Sequence, residues 1–135
     1  MSASESGPAS RAAELSSALK DFHRALIRAE VGDDPALQNP YTMLFALIGD
    51  PRFAWMAALS GLITRIDETL ADKATGPDAV LAMLPEWRDE AASFIGEGER
   101  AADPQFRLRH LTALQNEPQV GLATGRLRRM LATLP

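Results

Sequence analysis

The sequence predicts an all-α fold, a helical bundle of about five to seven helices with four main ones. Three observations lead there. Apolar residues recur at alternating intervals of three and four over most of the chain, the spacing that lines one face of a helix. Asparagine or aspartate stands directly before proline at Asn39-Pro40, Asp50-Pro51 and Asp103-Pro104. There the side chain can accept from first-turn amides while proline presets φ. No hairpin signal, alternating β-branched run or fixed-period repeat is present.

At 135 residues, 46% of them hydrophobic, the chain can bury a core without metal or disulfide help. Residues 1–9, rich in Ser, Gly and Pro, are expected to be a disordered tail, and 10–135 a single bundle domain. In the first helix Ala12, Leu15, Leu19, Phe22, Leu26 and Ala29 form a heptad-like seam that ends at Gly32. Asp33-Asp34-Pro35 is then a loop or a short helical turn. The stretch from Asn39 to Ala71 is the longest nearly continuous apolar run, with helix starts near Pro40 and Pro51. Met56, Leu59, Ile63, Ile66 and Leu70 make one stripe of the second helix, widened by Phe53 and Leu62. Asp50, Pro51 and Arg52 divide the run, so neither half reaches the ~20 residues of a spanning helix. Burial in a soluble core is expected, with no membrane partner.

Thr75-Gly76-Pro77 opens the next helix, where Val80, Leu81, Leu84, Trp87, Ala91, Phe94 and Ile95 keep helical spacing across Pro85. An interior proline costs ~3 kcal/mol or more, so a kink or a break into two helices is expected. The joint Gly96-Glu97-Gly98-Glu99 precedes a helix from about Pro104 carrying Phe106, Leu108, Leu111 and Leu114. After Asn116-Glu117-Pro118, a last stripe runs through Val120, Ala123, Leu127, Met130 or Leu131, and Leu134. Gly121 and Gly125 on this helix suggest close approach of a neighbour.

Several chemistries lack their residues. The chain has no cysteine, which removes disulfides, thiolate metal sites and cysteine nucleophiles. Lys20 and Arg107 stand three residues before His23 and His110, so the Glu-x-x-His pairs of a di-metal bundle are missing. Both histidines are expected to be solvated or hydrogen-bonded rather than ligands. Glu86, Asp89 and Glu90, with Asp67, Glu68 and Asp72 as an opposing set, come closest to a magnesium cluster but lack its tight spacing. A solvated helix face is expected, with no metal and no cofactor. No phosphate loop or nucleophile elbow is present, and no catalytic residue is nominated.

Charge is uneven. Net charge is −4, yet residues 1–99 carry eight Lys or Arg against sixteen Asp or Glu, while residues 100–135 carry six Arg against two acids. Arg126, Arg128 and Arg129, with Arg107 and Arg109 nearby, are anion-contact candidates through their guanidinium forks. Pairing with acidic neighbours is the favoured account. An acidic chain whose basic segment 100–135 holds one aromatic residue, Phe106, is not expected to bind nucleic acid. Nothing near Met1 has the basic start and apolar core of a signal peptide, so a cytoplasmic location is expected. A second candidate site is the junction of the two central helices. There Tyr41, Asp50, Arg52 and Trp55 meet, with Ser60 and Asp67 on the inner edge, either locking the corner or lining a small polar pocket.

The segments N-P-Y-T, D-P-R-F-A-W and I-D-E within 39–68 resemble an uncharacterised family of small bacterial all-α proteins with no assigned activity, as does, loosely, F-R-L-R-H-L-T-A-L-Q from Phe106 to Gln115. The resemblance implies a bacterial cytoplasmic origin and supplies no catalytic residue. From the residues themselves the favoured function is a non-enzymatic helical interaction or scaffold protein of unknown protein partner. It is expected to be a homo-oligomer, with a dimer favoured. Trp55, Trp87, Phe53 and Met43, in excess of the core stripes, are its expected surface. The alternative is a small-ligand-binding bundle, and behind it a metal-dependent hydrolase of anionic substrates using Asp67 or the Glu86 to Glu90 group with Arg52 or the C-terminal arginines.

Overall fold

α1 (Pro8–Val31) is the axis of the structure, a computed structural model that describes residues 7–135. Ala12, Leu15, Ser16, Ala18, Leu19, Phe22, Ala25 and Leu26 are buried along it, a face broad enough to meet several neighbours. α3 (Ala57–Ala71), α4 (Pro77–Phe94), α5 (Pro104–Asn116) and α6 (Pro118–Ala132) all pack on it. α2 (Pro40–Gly49) lies between two 3₁₀ segments, Pro35–Leu37 and Pro51–Met56. The fold is the all-α bundle that the spacing predicts. Among the described residues there is no strand, and no helix is long and apolar enough to cross a membrane.

Local chemistry explains the boundaries. Residues 1–6 of the expected tail lie outside the described residues. Pro8 and Ala9 are already helical, with Gly7 as N-cap and proline at the first position. α1 ends where expected, at Gly32, whose φ of 55° suits glycine and whose amide donates to the Arg28 carbonyl. The helix expected from Pro51 begins as a 3₁₀ helix and becomes α-helical only at Ala57. In a 3₁₀ turn residues i and i+3 align, which sends both Phe53 and Met56 into the core.

Three expectations are narrowed or corrected. Of the kink or break expected at Pro85, the break does not occur, and α4 is one helix with Pro85 inside it. The carbonyl left without its helical donor belongs to Leu81, a residue that is itself 47% exposed, so the lost bond lies on the outer side of the helix. The same exposure removes Leu81 from the core stripe. On α5 the buried face is Phe106, His110 and Ala113, whereas Leu108 and Leu111 are exposed. The core there accepts a histidine because its ring nitrogens are both bonded. Finally, no neighbouring element comes within 4 Å of a Cβ built on Gly121, and at Gly125 the nearest atom is in Arg129 of the same helix. The glycine pair therefore makes no close helix contact.

Gly96 matters more. Its φ of 72° turns the chain after α4, and the Arg107 guanidinium occupies the space that a Cβ would need.

Candidate functional site

α2 is built by its ends rather than by its packing. Asn39 Oδ1 accepts from the amides of Tyr41 at 2.8 Å and Thr42 at 3.4 Å, and Pro40 opens the helix. On either side, Asp34 Oδ1 accepts from Ala36 N at 3.0 Å and Asp50 Oδ1 from Arg52 N at 2.9 Å. Arg52 reaches Asp34 at 3.5 Å and Asp50 at 3.9 Å, and its guanidinium lies 5.5 Å from the Phe53 ring. Arg52 therefore joins the chain before α2 to the chain after it, closing the base of an excursion.

The excursion carries apolar side chains outward. No residue of α2 is buried. Tyr41 is 75% exposed, Leu44 54%, Phe45 71% and Ile48 75%. At 100° per residue these four share one face, opposite Met43 and Ala46, which pack partly against the core. The principal neighbours of α2 are its two flanking 3₁₀ segments. The most apolar helix of the chain is thus the least buried one.

Beside it runs a groove of about 590 Å³. Leu47, Ile48, Phe53, Met56 and Ala57 form its apolar walls, with His23, Asp50 and Ser60 at its polar points. A second hollow of about 360 Å³ shares His23, Leu47 and Ser60 and reaches Lys20, Arg24 and Thr64. Burial lowers the His23 pKa.

The six junction candidates do not converge on one cavity. Tyr41 faces outward, while Asp50 and Arg52 cap and close the α2 base. Trp55 turns the other way, its ring 5.0 Å from that of Phe106. Ser60 bonds its own helix at the Ala57 carbonyl and faces the groove. Asp67 binds α1, accepting from Ser16 Oγ at 2.6 Å and pairing with Lys20 at 2.8 Å. Those two hydrogen bonds lower its pKa.

The C-terminal arginines also part company. Arg126 pairs with Asp21 and donates to Ser17 on α1, and Arg128 pairs with Glu97. Arg109 reaches Glu30 and Arg100 reaches Glu90, which also holds Arg65. The basic end of the sequence is therefore folded onto its acidic remainder, and the charge asymmetry is used largely inside the molecule. Among the described residues no three carboxylate or imidazole groups gather as a metal site requires.

The chain matches no protein-family model, no curated protein and no solved structure.

Of the four residues expected to be exposed in excess of the core, Phe53 and Trp87 are buried, and Trp55 and Met43 are half-buried against the core. The large apolar side chains exposed on α2 are instead Tyr41, Leu44, Phe45 and Ile48.

His110 is the other residue whose role the spacing hides. It is fully buried on α5, edge-on to Phe22 with ring centroids 5.1 Å apart. Arg107 Nη1 lies 2.8 Å from Nδ1 and can only donate, so Nδ1 accepts; Nε2–H then donates to Thr124 Oγ1 at 3.0 Å. Burial, then the charges of Arg107 and Arg128, lower its pKa to about 4. Between the ordinary value of 6.5 and about 4 the unfolded chain takes up a proton that the fold refuses. Stability therefore falls as pH drops through that window, by roughly 3 kcal/mol in all, and is flat above it. Urea unfolding at pH 7 and pH 4.5 will show the loss, and His110→Gln will reduce the slope to what remains from His23, whose pKa burial also lowers. Asp67, whose carboxyl is held below 3.8, adds its own loss only at lower pH.

Proposed function

We propose that this chain is a non-enzymatic helical interaction protein that acts as a homodimer, with the outer face of α2 as its contact surface. The single observation that carries the reading is an apolar helix with no buried residue, capped at its start by the Asn39 side chain and followed directly by a 3₁₀ helix that Asp50 caps. Exposed contiguous apolar faces on small proteins mark association surfaces. The caps and the Asp34–Arg52 closure stabilise the helix without hiding its outer face. A cytoplasmic location accords with this reading.

The groove beside α2 supports a second reading, a small-ligand-binding bundle. Its walls are mainly apolar and its volume of about 590 Å³ lies within the range of small-molecule sites.

Native mass spectrometry of the gently purified protein, compared with its denatured mass, separates the two. Twice the chain mass, with no additional component, is the expected result. A monomer carrying extra mass that disappears on denaturation would replace the interaction reading with the ligand one.

A further inference from the structure

We infer that two copies pair about a two-fold axis perpendicular to α2, with their α2 helices antiparallel and the Tyr41, Leu44, Phe45 and Ile48 stripes face to face. This rests on the interaction reading above and adds how the copies meet.

Area comes first. Taking about 180–230 Å² for a fully exposed side chain of this size, the exposures of Tyr41, Leu44, Phe45 and Ile48 amount to roughly 550 Å². Two such faces give roughly 1,100 Å², just above the ~1,000 Å² that a specific interface should clear. The groove walls formed by Leu47, Ile48, Phe53 and Met56 adjoin the stripe and can extend the contact.

Charge favours a second copy over lipid. Within α2 there is no Asp, Glu, Lys or Arg, so two-fold pairing brings no like charges together at its centre. From residue 29 to residue 51 there is no Lys or Arg, whereas Glu30, Asp33, Asp34 and Asp50 are acidic. A helix that lies on a membrane generally sets basic residues beside its apolar face, whereas the bases nearest this one, Lys20, Arg24 and Arg52, are each paired with an acid.

Orientation follows from the stripe. Its midpoint lies between Leu44 and Phe45, so an axis through that point sets Leu44 against Leu44 of the second copy, Phe45 against Phe45, and Tyr41 against Ile48. Large side chains then meet along the whole contact. Antiparallel pairing also places the positive end of each helix beside the negative end of the other, whereas parallel pairing aligns like ends.

The chain has no cysteine, so introduced thiols report geometry cleanly. At an interaxial distance of 8–10 Å, residues beside the axis can approach the Cα separation that a disulfide needs. Mild oxidation of Leu44→Cys should link most chains as dimers, whereas Leu122→Cys, on exposed α6 surface, should not. A mixture of Tyr41→Cys and Ile48→Cys chains should form the mixed disulfide at least tenfold faster than either forms its own. Circular dichroism confirms that each variant is folded.

Failures separate as follows. Faster 41–41 and 48–48 links within an α2-dependent dimer would overturn the antiparallel arrangement and leave the interaction reading standing. A dimer whose mass is unchanged by Phe45→Asp would overturn both. A monomer at 100 µM that floats with phosphatidylcholine vesicles would make lipid the occupant, and one that floats with none would exclude the second copy.

Discussion

Replacing Phe45 with aspartate will convert the proposed dimer to folded monomer. In a single chain the residue is 71% exposed and its helix contains nothing buried, so the substitution should change monomer stability by no more than about 0.5 kcal/mol. In the pair, each copy loses an aromatic anchor near the centre of the contact. Central aromatic residues are the ones whose loss costs about 2 kcal/mol or more. Two carboxylates would also face each other across the axis, each deprived of water. The dissociation constant should therefore rise by at least ~100-fold, the equivalent of about 2.7 kcal/mol. Sedimentation velocity over a concentration series measures it directly, and circular dichroism should be unchanged. Loss of helical signal together with the dimer would show that Phe45 supports the fold instead.

That prediction concerns residues whose setting the sequence did not disclose. Element starts were legible because caps and prolines act locally: Asn39, Asp50 and Asp103 each accept an amide from the turn they open. The stripes of α1, α3 and α6 were legible because their spacing matches their buried faces. α5 misled, since Leu108 and Leu111 look like core residues at helical spacing. The structure instead buries His110, for which a partner 14 residues away on α6 was not visible. α2 misled in the opposite sense. A helix apolar all round normally signals full burial, but composition cannot say how much neighbouring surface remains to cover it. The face of α1 is already shared among four other helices, so α2 is left outside. The arginines followed the same logic. Arg126, Arg128 and Arg129 suggested one anion site, yet on a helix Arg128 points 200° away from Arg126, and these two reach different acidic partners, so the three do not share one site.

Truncation at one core position should reach the same surface indirectly. Phe106→Ala is expected to cost roughly 3–5 kcal/mol of stability, a large share of the ~5–15 kcal/mol that a domain of this size has. Phe106 is 2% exposed and stands where three aromatic rings meet it, Phe94 at 4.9 Å, Trp55 at 5.0 Å and Phe22 at 6.4 Å. These rings come from α4, the 3₁₀ helix Pro51–Met56 and α1, so the cavity would open where four elements join. Phe106→Leu, which retains much of the volume, should cost distinctly less. Chemical denaturation followed by tryptophan fluorescence reads the result at the damaged contact itself, because Trp55 lies edge-on to the missing ring. Trp55 also anchors the 3₁₀ helix whose Arg52 closes the base of α2. The variant should therefore weaken dimerisation even where it remains folded, through a loosened base and without touching the contact face. If dimer affinity is unchanged in folded Phe106→Ala, the α2 excursion is held by its caps and the Asp34–Arg52 pair alone, and the aromatic cluster serves stability only.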